Sequence, residues 1–218
     1  MNMKEKRIIF LGDSITAGVG ASTAEKRYER VVGRALGCTT INHGISATRI
    51  ANQKGEPMYG PSFCQRFSEM EDEADIIFVF GGTNDYGHGD APIGAPGDKT
   101  PDTFYGACDY LFSGLIKKYP GSLIIIMTPM HREGECIPNN NGAILKTYVD
   151  IIRKTAEKYS LPVLDLWKNS GVYPDISESK DAFASDGLHP NDAGHRLIAQ
   201  RILGFLAFLG YNIGNVEI

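Results

Sequence analysis

Along this 218-residue chain, apolar residues gather into short unbroken runs separated by longer stretches in which they recur every three or four positions. The runs at 7–11 (RIIFL), 39–43 (TTINH), 75–80 (DIIFVF), 122–127 (SLIIIM) and 162–166 (PVLDL) predict five strands. The third and fourth are nearly continuous in apolar residues, as expected of strands covered on both faces. Between them, 24–37, 100–121, 142–160 and 190–210 carry helical spacing. In the first of these Tyr28, Val31, Val32, Ala35 and Leu36 share a face, and Gly37 supplies a stop. The second opens on Thr100 and Pro101 as cap and first position, and the last on Pro190 as first helical position.

Strand and helix alternate, so the fold class expected is α/β: a three-layer α/β/α sandwich around a five-stranded parallel sheet. The sequence shows no internal repeat, low-complexity segment or linker, and residues 1–218 read as a single domain. Three glycine-rich polar stretches, 44–63, 81–101 and 128–142, each follow a strand. In an open α/β sheet the loops beyond the carboxyl ends of the strands build the binding crevice. Loops of this length are usually functional or disordered, and their shared edge favours function.

Composition narrows the class without naming a chemistry. Hydrophobic residues make up 42% and charged residues 22%, the values of an ordinary soluble globular chain. A net charge of −4 gives no reason to expect nucleic acid as a partner. No apolar run approaches the roughly 20 residues that span a bilayer, so membrane insertion is not expected. Positive charges precede the run at 8–11, but it is too short for the core of a signal peptide. A cytoplasmic location is therefore expected. Cys38, Cys64, Cys108 and Cys136 are irregularly spaced with no C-x-x-C pair, and read as reduced thiols.

The first strand ends in GDSITAGVG, residues 12–20. A phosphate-binding loop needs G-x-x-x-x-G-K-[ST], but five residues rather than four separate Gly12 from Gly18 and no lysine follows. The dinucleotide pattern G-x-G-x-x-G fails at Thr23. No cofactor is expected. A nucleophile seat remains, with Ser14 exposed at the tip of a strand-to-helix turn that Gly12 permits. A serine needs a histidine to take its proton, and that histidine a carboxylate to orient it.

Five histidines are available. His88 and His131 lie in the long loops, where each reads as solvent-facing or as a substrate contact. His43 ends a strand and His195 falls inside the last helix, both read as structural. His189 differs, because it lies in SDGLHPNDAGH just before that helix, with Asp186 three residues earlier and Gly187 between them. In such a turn the carboxylate reaches the imidazole Nδ1–H. The alternative is an ordinary turn before a helix. A metal centre is not expected: His189 and His195 are six apart, off a shared helical face, and H-E-x-x-H does not occur. Acyl chemistry also needs oxyanion donors. NHGIS places the Gly44 N–H, and GGTND the Asn84 amide, at the expected crevice.

In order, FLGDSIT, NHGIS, GGTND and DGLHP resemble the four blocks of the SGNH hydrolases, the GDSL esterase/lipase family. The resemblance runs from Phe10 to Pro190. It implies Ser14 as nucleophile and as one oxyanion donor through its own N–H, with Gly44 and Asn84 completing the hole. It implies His189 as general base and acid and Asp186 as its orienting carboxylate. The family's flavodoxin-like three-layer fold agrees with the order of elements. Many members carry a second glycine in the second block, where this chain has Ala47. Asp13 and Asp85 are supporting candidates, as turn formers or as holders of the nucleophile and Asn84 loops. Trp167 reads as a core residue rather than a ligand platform.

The function expected is a serine esterase acting on short acyl esters, such as acetyl, of a water-soluble alcohol, a sugar being one such alcohol. The partner is then a small-molecule ester. Two other readings stand beside it. One is a lysophospholipase or thioesterase; the other is a non-catalytic module that binds a carbohydrate or an acylated ligand. Oligomeric state is not legible.

Overall fold

The apolar runs form one sheet in a computed structural model that describes residues 3–52 and 60–214. Its strands are β1 (Arg7–Gly12), β2 (Thr39–Gly44), β3 (Ile76–Phe80), β4 (Leu123–Met127) and β5 (Val163–Leu164). All pairs are parallel and the order is β2-β1-β3-β4-β5. The expected fifth strand, 162–166, is cut to two residues. Asp165 turns out of the sheet to cap the next helix, its carboxylate accepting the Lys168 N–H and meeting Arg153.

The helices are α1 (Ser14–Ala17), α2 (Tyr28–Leu36), α3 (Phe63–Arg66), α4 (Thr83–His88), α5 (Phe104–Lys118), α6 (Leu145–Lys158), α7 (Leu166–Asn169), α8 (Ser177–Phe183) and α9 (Asp192–Phe208). Because successive side chains of a strand point to opposite faces, Ile8, Phe10, Ile76 and Phe78 face the α2–α9 layer. Ile9, Leu11, Ile77 and Val79 face the layer of α3, α5 and α6. Phe10 and Phe78 stack at 5.1 Å between centroids across β1 and β3. Both sheet faces are thus dry, the condition for an all-parallel sheet.

Two helix starts differ from expectation. α5 begins three residues later than Thr100 and Pro101 suggest: Thr103 accepts the Gly106 N–H, and the Pro101 carbonyl is taken by the Asn52 N–H. α9 begins after Pro190, because the Asn191 side chain accepts both the Ala193 and Gly194 N–H groups. Short helices α4 and α8 occupy stretches too brief for a periodic pattern. Of the first crevice loop, residues 53–59 lie outside the described ones.

From β1 the chain moves outward to β2, then returns to lay β3 on β1's other side. At such a switch point the connections leave in opposite directions and open a crevice beyond the strand ends. The register aligns Gly12 with Gly44 and with Phe80 there.

Candidate active site

Ser14 is the first residue of α1, directly past β1 at that switch point. Asp13 caps the helix through Oδ1, which accepts the Ile15 N–H at 3.0 Å. Gly12 is required here, since a Cβ would run into the Thr16 side chain. Ser14 is largely buried, and its Oγ lies 2.9 Å from Nε2 of His189.

His189 is held from behind. Its Nδ1 lies 2.7 Å from Oδ2 of Asp186, while Oδ1 accepts the N–H groups of His189 (2.6 Å) and Leu188 (2.8 Å). Gly187, at φ +80°, makes this turn at a backbone conformation that L side chains rarely adopt. Burial alone would raise the Asp186 carboxyl, but the hydrogen bonds from the His189 ring and the two N–H groups hold it below the usual range. An ionised carboxylate on Nδ1 leaves Nε2 to accept the serine proton.

A second contact fixes the meeting of the two chain ends. Asp192 accepts the Ser22 N–H at 2.8 Å and its hydroxyl at 2.7 Å, which staples the segment after α1 to the start of α9. His195 supports the same junction from within. It is fully buried, Nδ1 accepts the Tyr28 N–H at 3.3 Å, and Nε2 faces the Val19 carbonyl at 3.4 Å.

Opposite the serine, the structure corrects one expected role. The Gly44 N–H does not face the crevice: it donates to Oδ1 of Asn42 at 2.7 Å. Its missing side chain serves packing, because a Cβ would strike the backbone of Thr16 and Ala17. Asn42 donates in turn to the Thr16 carbonyl at 2.6 Å, locking β2 to α1. Among the described residues of this loop the strained non-glycine one is Ala47, at φ +62°, a left-handed conformation that costs a non-glycine residue about 1 kcal/mol or more.

Asn84 lies on α4 just past β3, with Nδ2 donating to the Thr48 carbonyl at 3.1 Å. That bond uses one of the two amide hydrogens. Asp85 ties the same two segments together, its carboxylate accepting the Ile50 and Ala51 N–H groups at 3.0 and 2.9 Å. Burial raises the Asp85 carboxyl to about 6 despite those bonds. Asp13 is pushed up further, to about 7, again by burial. A small pocket of about 10 Å³ opens between the strand ends, lined by Ile15, Phe80, Met130 and Leu188, with the polar Asp13, Thr83 and His131 also in its wall.

Several supporting residues escape sequence reading. Arg66, 6% exposed, donates to the carbonyls of Gly12 (2.7 Å) and His43 (2.6 Å), clamping the ends of β1 and β2. Burial brings its pKa down to about 10. In the sequence it is indistinguishable from a surface arginine. Asn42 stood inside the NHGIS block, and its side chain was the available signal. His43 pairs with Glu71 at 2.7 Å, away from the serine. His131 pairs with Glu135 at 2.7 Å and packs at 3.9 Å on Trp167. Among the described residues, no three His, Cys, Asp or Glu side chains are grouped to hold a metal ion, and no helix is long and apolar enough to cross a membrane.

Comparison with known proteins places these elements among relatives. Residues 10–197 match the family described as GDSL-like lipase/acylhydrolase. A solved protein from Lactobacillus plantarum is 32% identical, with TM-score 0.84 over 94% of this chain and 98% of its own. An acetyl xylan esterase, AlAXEase, is 24% identical, with TM-score 0.65 over 92% and 99% of the two chains. A lipase/acylhydrolase from Enterococcus faecalis is 19% identical, with TM-score 0.67 over 94% and 96%. These last two are alike in fold. No curated protein matches the chain.

Proposed function

The chain belongs to the GDSL-like lipase/acylhydrolase family, and on that premise we propose that it is a serine esterase acting on short O-acyl esters of water-soluble alcohols. The observation that carries this reading is the 2.9 Å approach of Ser14 Oγ to His189 Nε2, with Asp186 behind the ring.

Ser14 attacks the ester carbonyl as His189 takes its proton, and Asp186 stabilises the imidazolium that forms. The oxyanion meets the Ser14 N–H at the start of α1 and the remaining amide hydrogen of Asn84. With the Gly44 N–H committed to Asn42, the third donor in this reading is the N–H of Ala47. That residue's strained backbone immediately precedes the carbonyl that anchors Asn84. His189 then protonates the leaving alcohol, and water repeats the sequence on the acyl-enzyme.

We assign the acyl group to the small pocket lined by Asp13 and Ile15, the residues on either side of Ser14 in the chain. Its volume of about 10 Å³ suits a short acyl group better than a long chain, and its wall is mostly apolar. The test is labelling with a fluorophosphonate, followed by hydrolysis of 4-nitrophenyl esters from C2 to C12. The expected result is labelling that Ser14→Ala removes, with highest kcat/KM at C2–C4. Absence of labelling would favour a binding module. A maximum beyond C8 would favour a lysophospholipase or thioesterase.

A further inference from the structure

Arg132 lies in the loop after β4, and its backbone is fixed on both sides. Its N–H donates to Oε2 of Glu135 at 2.9 Å. The next N–H, of Glu133, donates at 2.8 Å to the carbonyl of Gly187, inside the turn that carries Asp186 and His189. From this base the side chain reaches across α4. Nη1 stands 3.4 Å from the Thr83 hydroxyl, and the guanidinium carbon lies 5.7 Å from the centroid of the Tyr86 ring. A Cβ on Gly87 would lie 3.1 Å from Nη1, so the absence of a side chain there clears the space the guanidinium occupies.

Thr83, Tyr86 and Gly87 share one face of α4 by their spacing, and Asn84 is the neighbouring position on the same helix. The charge therefore hangs between the helix of Asn84 and the turn of His189. It also feels the negative fields of Asp186, Asp13 and Glu135.

The other buried or half-buried arginines near the crevice have their counterparts. Arg49 faces Asp90 at 2.9 Å, Arg153 faces Asp165 at 2.7 Å, and Arg66 is filled by carbonyls. Among the described residues no carboxylate pairs with the Arg132 guanidinium; its Nε, like those of Arg49, Arg66 and Arg153, is buried without a hydrogen-bond partner. A guanidinium stays charged at any ordinary pH and offers a planar fork of donors that matches a carboxylate. With only the Thr83 hydroxyl and the Tyr86 ring beside it, the Arg132 fork has donors left for a ligand carboxylate.

We propose that Arg132 is a specificity-determining residue that receives a carboxylate carried on the alcohol part of the substrate. The inference rests on the serine-esterase reading above. The alcohol part is the carrier in this proposal, since the acyl group is assigned to the small, mostly apolar pocket past Ile15 and Phe80.

The test compares 4-acetoxybenzoate with its neutral counterpart 4-acetoxybenzamide, and adds mono-4-nitrophenyl succinate as the ester with the carboxylate on the acyl side. The wild type is expected to favour acetoxybenzoate over the amide by at least about 10-fold in kcat/KM. Arg132→Gln is expected to lose that preference while changing kcat/KM for the amide by less than about threefold, with Arg132→Lys between the two. An equal loss on both esters, no loss on either, or a preference confined to the succinate would overturn the proposal. Fluorophosphonate labelling of Ser14 at the wild-type rate shows that the variant retains its fold and its nucleophile. Should Arg132→Gln fail to fold, inhibition of wild-type 4-nitrophenyl acetate hydrolysis by benzoate and by benzamide decides instead, and benzoate binding no tighter than benzamide counts against the proposal. Wild-type protein that takes no label fails the esterase reading itself, a result distinct from labelled protein indifferent to the carboxylate.

Discussion

Ser14 and His189 are 175 positions apart in the chain and 2.9 Å apart at their reacting atoms. The approach depends on two rigid supports. One is the α1 turn capped by Asp13; the other is the Asp186 turn, tied to the loop after β4 by the Glu133–Gly187 hydrogen bond.

Replacing Asp186 by Asn should lower kcat by about 10²- to 10⁴-fold while the fold survives. An amide cannot hold the imidazole in the same tautomer with the same charge. Steady-state kinetics with 4-nitrophenyl acetate, alongside circular dichroism, measures this. Activity within fivefold of wild type would remove Asp186 from the relay.

Asn84→Ala should reduce kcat by about 10²- to 10³-fold with a smaller change in KM, because the amide acts on charge that develops only in the transition state. Its bond to the Thr48 carbonyl also aligns the loop. Asn84→Asp is therefore informative: it keeps the size but removes the donor, and should be no more active than the alanine variant.

Gly44→Ala should act on stability. The added methyl meets the backbone of Thr16 and Ala17, and overpacking of this kind costs about 1–3 kcal/mol or more. Urea denaturation should show the loss. A variant of wild-type stability but a hundredfold lower kcat would return Gly44 to the oxyanion hole.

His195 predicts a pH dependence of stability. Burial holds its pKa down to about 4, against about 6.5 unfolded. Between those values the unfolded chain binds a proton that the fold refuses, so stability falls as pH drops from about 6.5 to about 4. The loss is on the order of 3 kcal/mol from this group. His195→Gln can accept from the Tyr28 N–H and donate to the Val19 carbonyl without titrating, and its urea midpoint should change less between pH 7 and pH 4. Identical slopes for the two proteins would refute the assignment.

Asp13 works in the opposite sense. Burial raises it to about 7, so the fold holds a proton that the unfolded carboxyl has already released above about 3.9. Its contribution to stability is greatest at low pH and is lost as pH rises through 7. Asp13→Asn keeps an acceptor for the Ile15 N–H, and should stabilise the protein by a few kcal/mol at pH 8.5 while gaining little at pH 4. Equal gains at both values would mean that the carboxyl does not titrate in that window.

The sequence by itself determined the α/β class, the five strand positions and the four blocks that identify the family. Those properties rest on local periodicity and on residues whose chemistry is read from type and neighbours. Asp186 and His189 were legible together because only three positions separate them. Roles set by where a backbone N–H points were not legible. Gly44 and Ala47 lie in one short block, yet Asn42 takes the first N–H while the strain falls on the second. Arg66 and Arg132 were equally silent, since a guanidinium at the end of a long flexible side chain is located by what packs around it. Tertiary structure alone decided which carbonyls Arg66 clamps and that Arg132 has no carboxylate partner among the described residues, because those answers depend on chain segments that meet only when the sheet is assembled.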